Sequence, residues 1–255
     1  MSLFTDGNIS GLEELRAYDT GILEVAGAEG VDLAAKLSLA ATEIGIELEE
    51  FLRKRAGGGA GLVGQPYLGL ENVVVTPALR QWHTLRTLAL IYADIRSNHV
   101  RTRYAGKEKE YRQRARWAAD SLYRIGIGLV NSPLPKAETP EVETVPGTLA
   151  GATYYIKVAW RSAAGEAGAP SEAAVHTVET EGLPAVRAVG PPANAAGFDV
   201  YAGTSESGVT KQNTDPVEPT AQWVMPETGL VSGAEPGTGQ EPGWFLRNDR
   251  VLQRG

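Results

Sequence analysis

The hydrophobic pattern of this chain changes period once, and that change limits what it can fold into. Up to about residue 130, apolar side chains recur every three to four positions; from about residue 140 they alternate. The first period belongs to amphipathic helices, the second to strands with one buried face. No single element type satisfies both, so the sequence predicts an α+β, multidomain chain. Between the two runs, Ser132-Pro133-Leu134-Pro135 and the stretch through Pro146 read as a stiff linker, with a boundary near residue 137. The expected units are a four-helix bundle over 1–137, a β-sandwich over 138–228 and an extended C-terminal tail over 229–255.

The helices are expected over 9–26, 32–55, 76–98 and 106–125. Ser10 with Glu13 has the spacing of a capping box for the first, and Gly27 and Gly30 break it. Asp32 caps the second, whose stripe is Leu33, Leu37, Ala40, Ala41, Ile44, Leu48 and Phe51/Leu52. Arg53, Lys54 and Arg55 suit its negative end. Ala56 to Gly64 reads as a loop between helices; it lacks the lysine ending of a phosphate loop and follows a helix rather than a strand. Thr76-Pro77 opens the third helix, which carries Leu79, Trp82, Leu85, Leu88 and Tyr92. Tyr111, Ala115, Ala118, Leu122 and Ile125 line the fourth. Such short apolar faces are buried only against one another.

In the second half, Thr153–Trp160, Ala173–Val178, Pro184–Val189, Gly197–Ala202 and Ala221–Met225 read as strands, with Glu141–Val145 a further candidate. Thirty glycines and 15 prolines among 255 residues, well above the roughly 12% of an ordinary chain, supply the turns. The expected core holds Tyr154 or Tyr155, Val158, Trp160, Val175, Val186, Phe198, Val200 and Trp223. These aromatics are explained by structure alone; a sugar-stacking platform, making the chain a carbohydrate-binding or adhesion module with a helical assembly domain, is the alternative. Trp244 and Phe245 sit in the glycine-rich tail, where two wet aromatics are costly, so they pack back or anchor a neighbour.

Charge is uneven. Residues 1–135 carry 16 acidic and 16 basic side chains, so the net −7 lies entirely beyond them. From Arg96 to Arg116 run eight basic residues, Arg96, Arg101, Arg103, Lys107, Lys109, Arg112, Arg114 and Arg116, against Glu108 and Glu110. A solvated helix face, a docking face for an acidic protein and a phosphate-binding face all fit. No aromatic ladder or zinc module accompanies the charge.

The chemistry available is narrow. Without cysteine, thiolate nucleophiles, disulfides and cysteine-based metal sites are excluded. His83 has Leu79, Arg80, Arg86 and Thr87 as helical neighbours, none a carboxylate, and reads as a packing or surface residue. His99 ends a helix, and His176 reads as surface-facing on a strand. Glu43, Glu47, Glu49 and Glu50 lack the Glu-x-x-His companions of a di-metal bundle and read as a solvated face. Ser205 and Ser207 lack a nucleophile elbow, and Asp199 and Asp215 belong to no calcium loop. No catalytic, cofactor or metal site is expected. No window suits a membrane span, and Met1 to Ser10 lacks the basic start of a signal peptide, so a cytoplasmic, soluble product is expected.

Within this layout, VVVTPALRQWHTLRTLALIYADIR (73–96), RYAGKEKEYRQRARWA (103–118) and GIGLVNSPLPKA (126–137) resemble head-to-tail connector, or neck adaptor, proteins of tailed bacteriophages, over roughly residues 8–137. GATYYIKVAWRSAAGEAGAPSEAAVHTV (151–178) and GFDVYAGTS (197–205) are similar to the immunoglobulin-like or fibronectin-type sandwiches that decorate virion proteins. The resemblance implies a connector-type bundle and a structural, non-enzymatic virion protein at the head–tail junction, made in the host cytoplasm. It implies a homo-oligomeric ring, typically of twelve copies, bound to the portal and to tail or neck proteins. DNA would pass through without sequence-specific binding. Under it, Arg101, Arg103, Lys107, Lys109, Arg112, Arg114 and Arg116 become candidate subunit or portal contacts. Trp244 and Phe245, with Arg247, Arg250 and Arg254, become candidates for a tail that clasps a neighbour.

Overall fold

The computed structural model describes residues 1–7, 9–55, 68–98, 104–247 and 251–253. It is mixed α and β, with five α-helices and two antiparallel sheets among the described residues. Two compact units are present: Gly7–Val130 with Pro242–Gly255, and Met1–Asp6 with Asn131–Glu241. The expected glycine-rich loop at 56–64 lies outside the described residues, as does His99.

In the helical unit, α1 (Leu12–Tyr18) and α2 (Ile22–Glu29) replace the one helix expected over 9–26. The break falls at Asp19, whose backbone is extended (φ −144°, ψ 97°). Its carboxylate is drawn inward by side chains of two other helices, and no capping or propensity rule reveals that. The cap also shifts by one residue. Gly11 N–H donates to Glu14 Oε2 at 2.9 Å, which frees the Ser10 hydroxyl for His83. Gly30 closes α2 in the left-handed conformation (φ 69°).

Helix α3 (Leu33–Arg55) starts as its sequence indicates, with Ala35 N–H donating to Asp32 Oδ1 at 3.0 Å. Helix α4 (Pro77–Asn98) begins with proline in its first turn. It packs against α3 and against α5 (Ala105–Ile125). Accordingly its burial runs almost all round: Leu79, Trp82, Leu85, Leu88, Ile91, Tyr92 and Ile95 are buried, and so are His83, Thr84 and Thr87. Thr84 and Thr87 satisfy their hydroxyls on the carbonyls of Arg80 and His83, one turn back.

After α5 comes β1 (Ile127–Leu129), which pairs with β7 (Trp244–Leu246); β7 pairs in turn with β8 (Val251–Gln253). On its other side β1 bridges Val73, and Val74 N–H donates to Gly128 O at 2.9 Å. The segment expected as an extended tail thus ends in strands of the helical unit.

The other unit holds β2 (Glu141–Arg161), β3 (Ala174–Arg187), β4 (Gly197–Gly203), β5 (Thr210–Lys211) and β6 (Gln222–Val224). They form one antiparallel sheet in the order β5-β4-β2-β3-β6. Four of the expected strands merge pairwise into the long β2 and β3. Register shifts between Val145 and Ala150 and between Ala150 and Ala152 bend this hairpin. Leu183 and Val186 from one side of the bend share a core with Ile156, Val158, Trp160, Phe198 and Val200 from the other. The Trp160 and Phe198 rings meet edge to face, 6.0 Å between centroids. Val175, expected in this core, is instead 61% exposed. It lies opposite Tyr155 in the ladder, whereas the neighbouring Tyr154 is the tyrosine that points inward. Trp223 packs against the core from its margin.

Gly151 sits at the bend. A Cβ there would lie 2.6–2.8 Å from the carbonyl oxygens of Val178, Glu179 and Thr180, so only glycine allows the two backbones this approach. Gly151→Ala should therefore lower stability by about 2 kcal/mol, read as a fall in the thermal midpoint; an unchanged midpoint would show that the bend opens without cost.

Candidate functional site

Of the basic residues singled out by sequence, Lys107, Lys109, Arg112, Arg114 and Arg116 fall on α5 and Arg96 near the end of α4, and the structure answers many of their charges from within the chain. Glu108 is buried and takes Arg96 on one carboxylate oxygen at 2.5 Å and Arg112 on the other. The hydrogen bond from Arg96, then the two positive charges, hold its carboxyl below the ordinary range despite burial. Arg114 pairs with Glu110 at 3.3 Å and lies over the rings of Tyr18 and Tyr111. Lys109 and Arg116 point to solvent. Arg101, Arg103, Arg250 and Arg254 lie outside the described residues.

Lys107 reaches the most organised polar cluster of the helical unit. Its ammonium donates to Asp19 Oδ2 at 2.7 Å and lies 5.2 Å from the centre of the Tyr92 ring. Tyr92 donates its hydroxyl to the same oxygen at 2.6 Å, and Tyr111 at 3.3 Å. The two rings stack, 9° from parallel and 5.5 Å apart. Burial pushes the Asp19 carboxyl up, but the hydrogen bonds from Lys107 and Tyr92, the lysine charge and Tyr111 outweigh it, leaving the carboxyl below its usual range. Tyr111 is pushed up to about 12, by burial first and then by the Asp19 charge. Both tyrosines therefore stay protonated donors at neutral pH. The cluster ties the α1–α2 turn to α4 and α5 through one carboxylate oxygen, Asp19 Oδ2.

His83 is a buried packing residue. Its Nε2–H donates to the Leu37 carbonyl at 3.0 Å, which leaves Nδ1 to accept from the Ser10 hydroxyl at 2.7 Å. Burial holds the imidazole below its ordinary pKa, so it is neutral at pH 7. Ser10 and His83 line a cavity of about 280 Å³ with Ile9, Leu37, Ser38 and Ala41. A carbonyl, rather than a carboxylate, orients the ring. Sequence reasoning missed this pair because its members are 73 residues apart.

In the β unit, Asp199 is fully buried between Arg161 (2.6 Å) and Lys211 (2.9 Å), a paired structural charge rather than a cation ligand. His176 is half-buried and meets the Thr144 hydroxyl at 2.8 Å. Among the described residues, no group of three or more His, Asp or Glu could hold a metal ion, and no helix is long and apolar enough to cross a membrane. Tyr154 and Trp160 are buried, so neither offers a ring face for a sugar.

Trp244 and Phe245 lie opposite Leu129 and Gly128 in the β1–β7 ladder, and both are half-buried. Their neighbour Leu246 is buried. The backbone of this segment is committed to its own chain. Exposed apolar surface lies elsewhere on the helical unit: Trp117 and Ile125 on α5 are 56% and 57% exposed, and Ile46 on α3 is 64% exposed.

No protein-family model matches the chain, and the comparison with curated proteins finds no relative.

Two outcomes follow from this geometry. Asp19→Asn should cost about 2 kcal/mol at neutral pH, since it removes a charged acceptor of three hydrogen bonds. Because the folded carboxyl titrates below the unfolded one, its contribution is present above the unfolded pKa and lost as pH falls through the folded pKa. Denaturation curves of the two proteins should therefore converge in acid; a gap that stays constant would assign the loss to packing. Leu246→Ala should cost about 2–4 kcal/mol, and hydrogen exchange at Val74 should accelerate with it if β7 secures the β1 sheet.

Proposed function

We propose that this chain is a structural component of a tailed-phage neck, a head-to-tail connector that forms an oligomeric ring between portal and tail and continues the DNA channel. One observation carries this reading. The helical unit is assembled from Gly7–Val130 and Pro242–Gly255, so the main run of the β unit, Asn131–Glu241, is an insertion between two strands of a single helical kernel. That is the layout of an adaptor with a decoration, the decoration being an immunoglobulin-like sandwich whose layers are the two halves of the bent sheet. The kernel is the four-helix connector-type bundle of the resemblance, with its first helix divided at Asp19.

The charge distribution supports it too. A channel through which DNA slides is poorly served by a strongly cationic lining. Glu108 and Glu110 of α5, with Asp19 of the α1–α2 turn, offset Lys107, Arg112 and Arg114 of α5 and Arg96 of α4, which suits protein contact better than phosphate capture. The protein acts without catalysis, through surfaces offered to other copies, to the portal and to the tail. Its twelve-copy ring belongs to the virion.

Electron microscopy of the full chain mixed with the products of its neighbouring genes, a portal protein being expected among them, tests this. Closed rings stacked on the portal are expected. A monodisperse monomer that never associates with the portal would overturn the reading.

A further inference from the structure

The packing order α3–α4–α5 buries the middle helix and leaves an outer face on each flanking one. On α3, Leu39, Glu43, Ile46 and Glu50 recur at spacings of four, three and four, forming one stripe. Ile46 is 64% and Leu39 42% exposed. From Leu39 to Glu50 this helix carries four carboxylates and no cation. Arg86, Arg53 and Lys54 answer Glu43, Glu49 and Glu50. Glu47 has no ion pair among the described residues; burial, and then the charges of Glu43 and Glu50, push its carboxyl up against the pull of Arg86.

The outer side of α5 is its complement. Trp117 and Ile125 line an open groove of about 490 Å³ together with Ala78 and Gln81 of α4, Ser121 and Arg124 of α5, and Arg247. Arg124 spends its donors on the Ser121 hydroxyl and the Asp120 carbonyl, not on a carboxylate. Arg116, beside Trp117, is exposed.

We propose that the outer face of α3 in one copy docks into the Trp117–Ile125 groove on α5 of the next, a head-to-tail contact between unlike surfaces of the same chain. Ile46 and Leu39 supply the apolar insert, and Glu47 meets Arg124 of the groove. The reverse pairings are disfavoured: α3 on α3 sets carboxylates together, and α5 on α5 sets Arg116 and Arg124 together with Asp120 as the one acid among them, so self-complementary contact carries the greater like-charge repulsion. A contact of unlike surfaces propagates, and it either closes into a ring or runs on as a filament. The inference deepens the connector reading and rests on it only for closure.

The absence of cysteine gives a clean test. Thr42→Cys on α3 and Ser121→Cys on α5 flank the proposed contact without removing Ile46 or Trp117. Full-length proteins bearing one or the other are mixed and treated with a short bismaleimide, with Val175→Cys as an exposed control. The mixture of Thr42→Cys and Ser121→Cys should give a covalent dimer, neither variant should do so alone, and the control should pair with neither. Adding Glu47→Arg to the first or Trp117→Ala to the second should lower the yield about tenfold or more.

Dimers from a single variant alone would overturn the proposal in favour of a two-fold contact. Rings on the portal without the mixed crosslink would overturn it and leave the connector reading intact. The mixed crosslink with open filaments in place of rings would support the interface and count against the connector. A chain that neither crosslinks nor associates would remove both.

Discussion

Helix α4 has no polar side to give to water along most of its length, and the helical unit is arranged to meet that need. Burying a large apolar side chain is worth roughly 1.5–3 kcal/mol, and α4 buries Leu79, Trp82, Leu85, Leu88, Ile91, Tyr92 and Ile95. A helix apolar on so many sides needs cover on more than one. Helices α3 and α5 give it by flanking α4, α1 also touches it, and His83 and Asp19 are carried inward with polar partners in place. The flanking helices spend their apolar stripes on α4, so apolar surface on their outer sides is left exposed among the described residues.

Electrostatics then separates the two outer sides. Buried carboxylates at Asp19 and Glu108 absorb much of the positive charge at the start of α5, while Arg116 and Arg124, on either side of Trp117 and Asp120, have no carboxylate partner among the described residues. On α3 the acidic run remains. The asymmetry arises inside the fold, from which charges are already answered, and net charge alone gives no hint of it.

Local patterns in the sequence were good guides where local physics decides. Asp32 and Thr76-Pro77 mark the starts of α3 and α4 because capping is settled within one turn. Trp160, Phe198, Val186 and Val200 were identifiable as core because alternation assigns strand faces. Prediction fell short where a partner distant in sequence decides. The break at Asp19 depends on Tyr92 and Lys107, the fate of the Ser10 hydroxyl on His83, and the strand at Trp244–Leu246 on Ile127–Leu129. The union of the short strands into β2 and β3 depends on Gly151, whose lack of a side chain matters only once another backbone lies against it. Val175 was misplaced because alternation separates two faces without saying which is inward, and Val178, three residues on and so on the other face, takes the core side. Of the proposed docking surfaces, the α3 glutamates were visible in sequence; the groove around Trp117 was not, since the exposure of one tryptophan among five is a tertiary property.

The pairing of Leu129 with Trp244 has a consequence for how such a chain is inherited and folded. The strands on either side of the long inserted run are already held one ladder step apart, so the entropy of closing that loop rises only with the logarithm of its length. Lengthening, shortening or exchanging the run from Asn131 to Glu241 changes that cost by little more than the cost of a modest surface loop. The kernel is therefore one object in space and two in the gene, and a lineage can vary what it displays while keeping what it is built on.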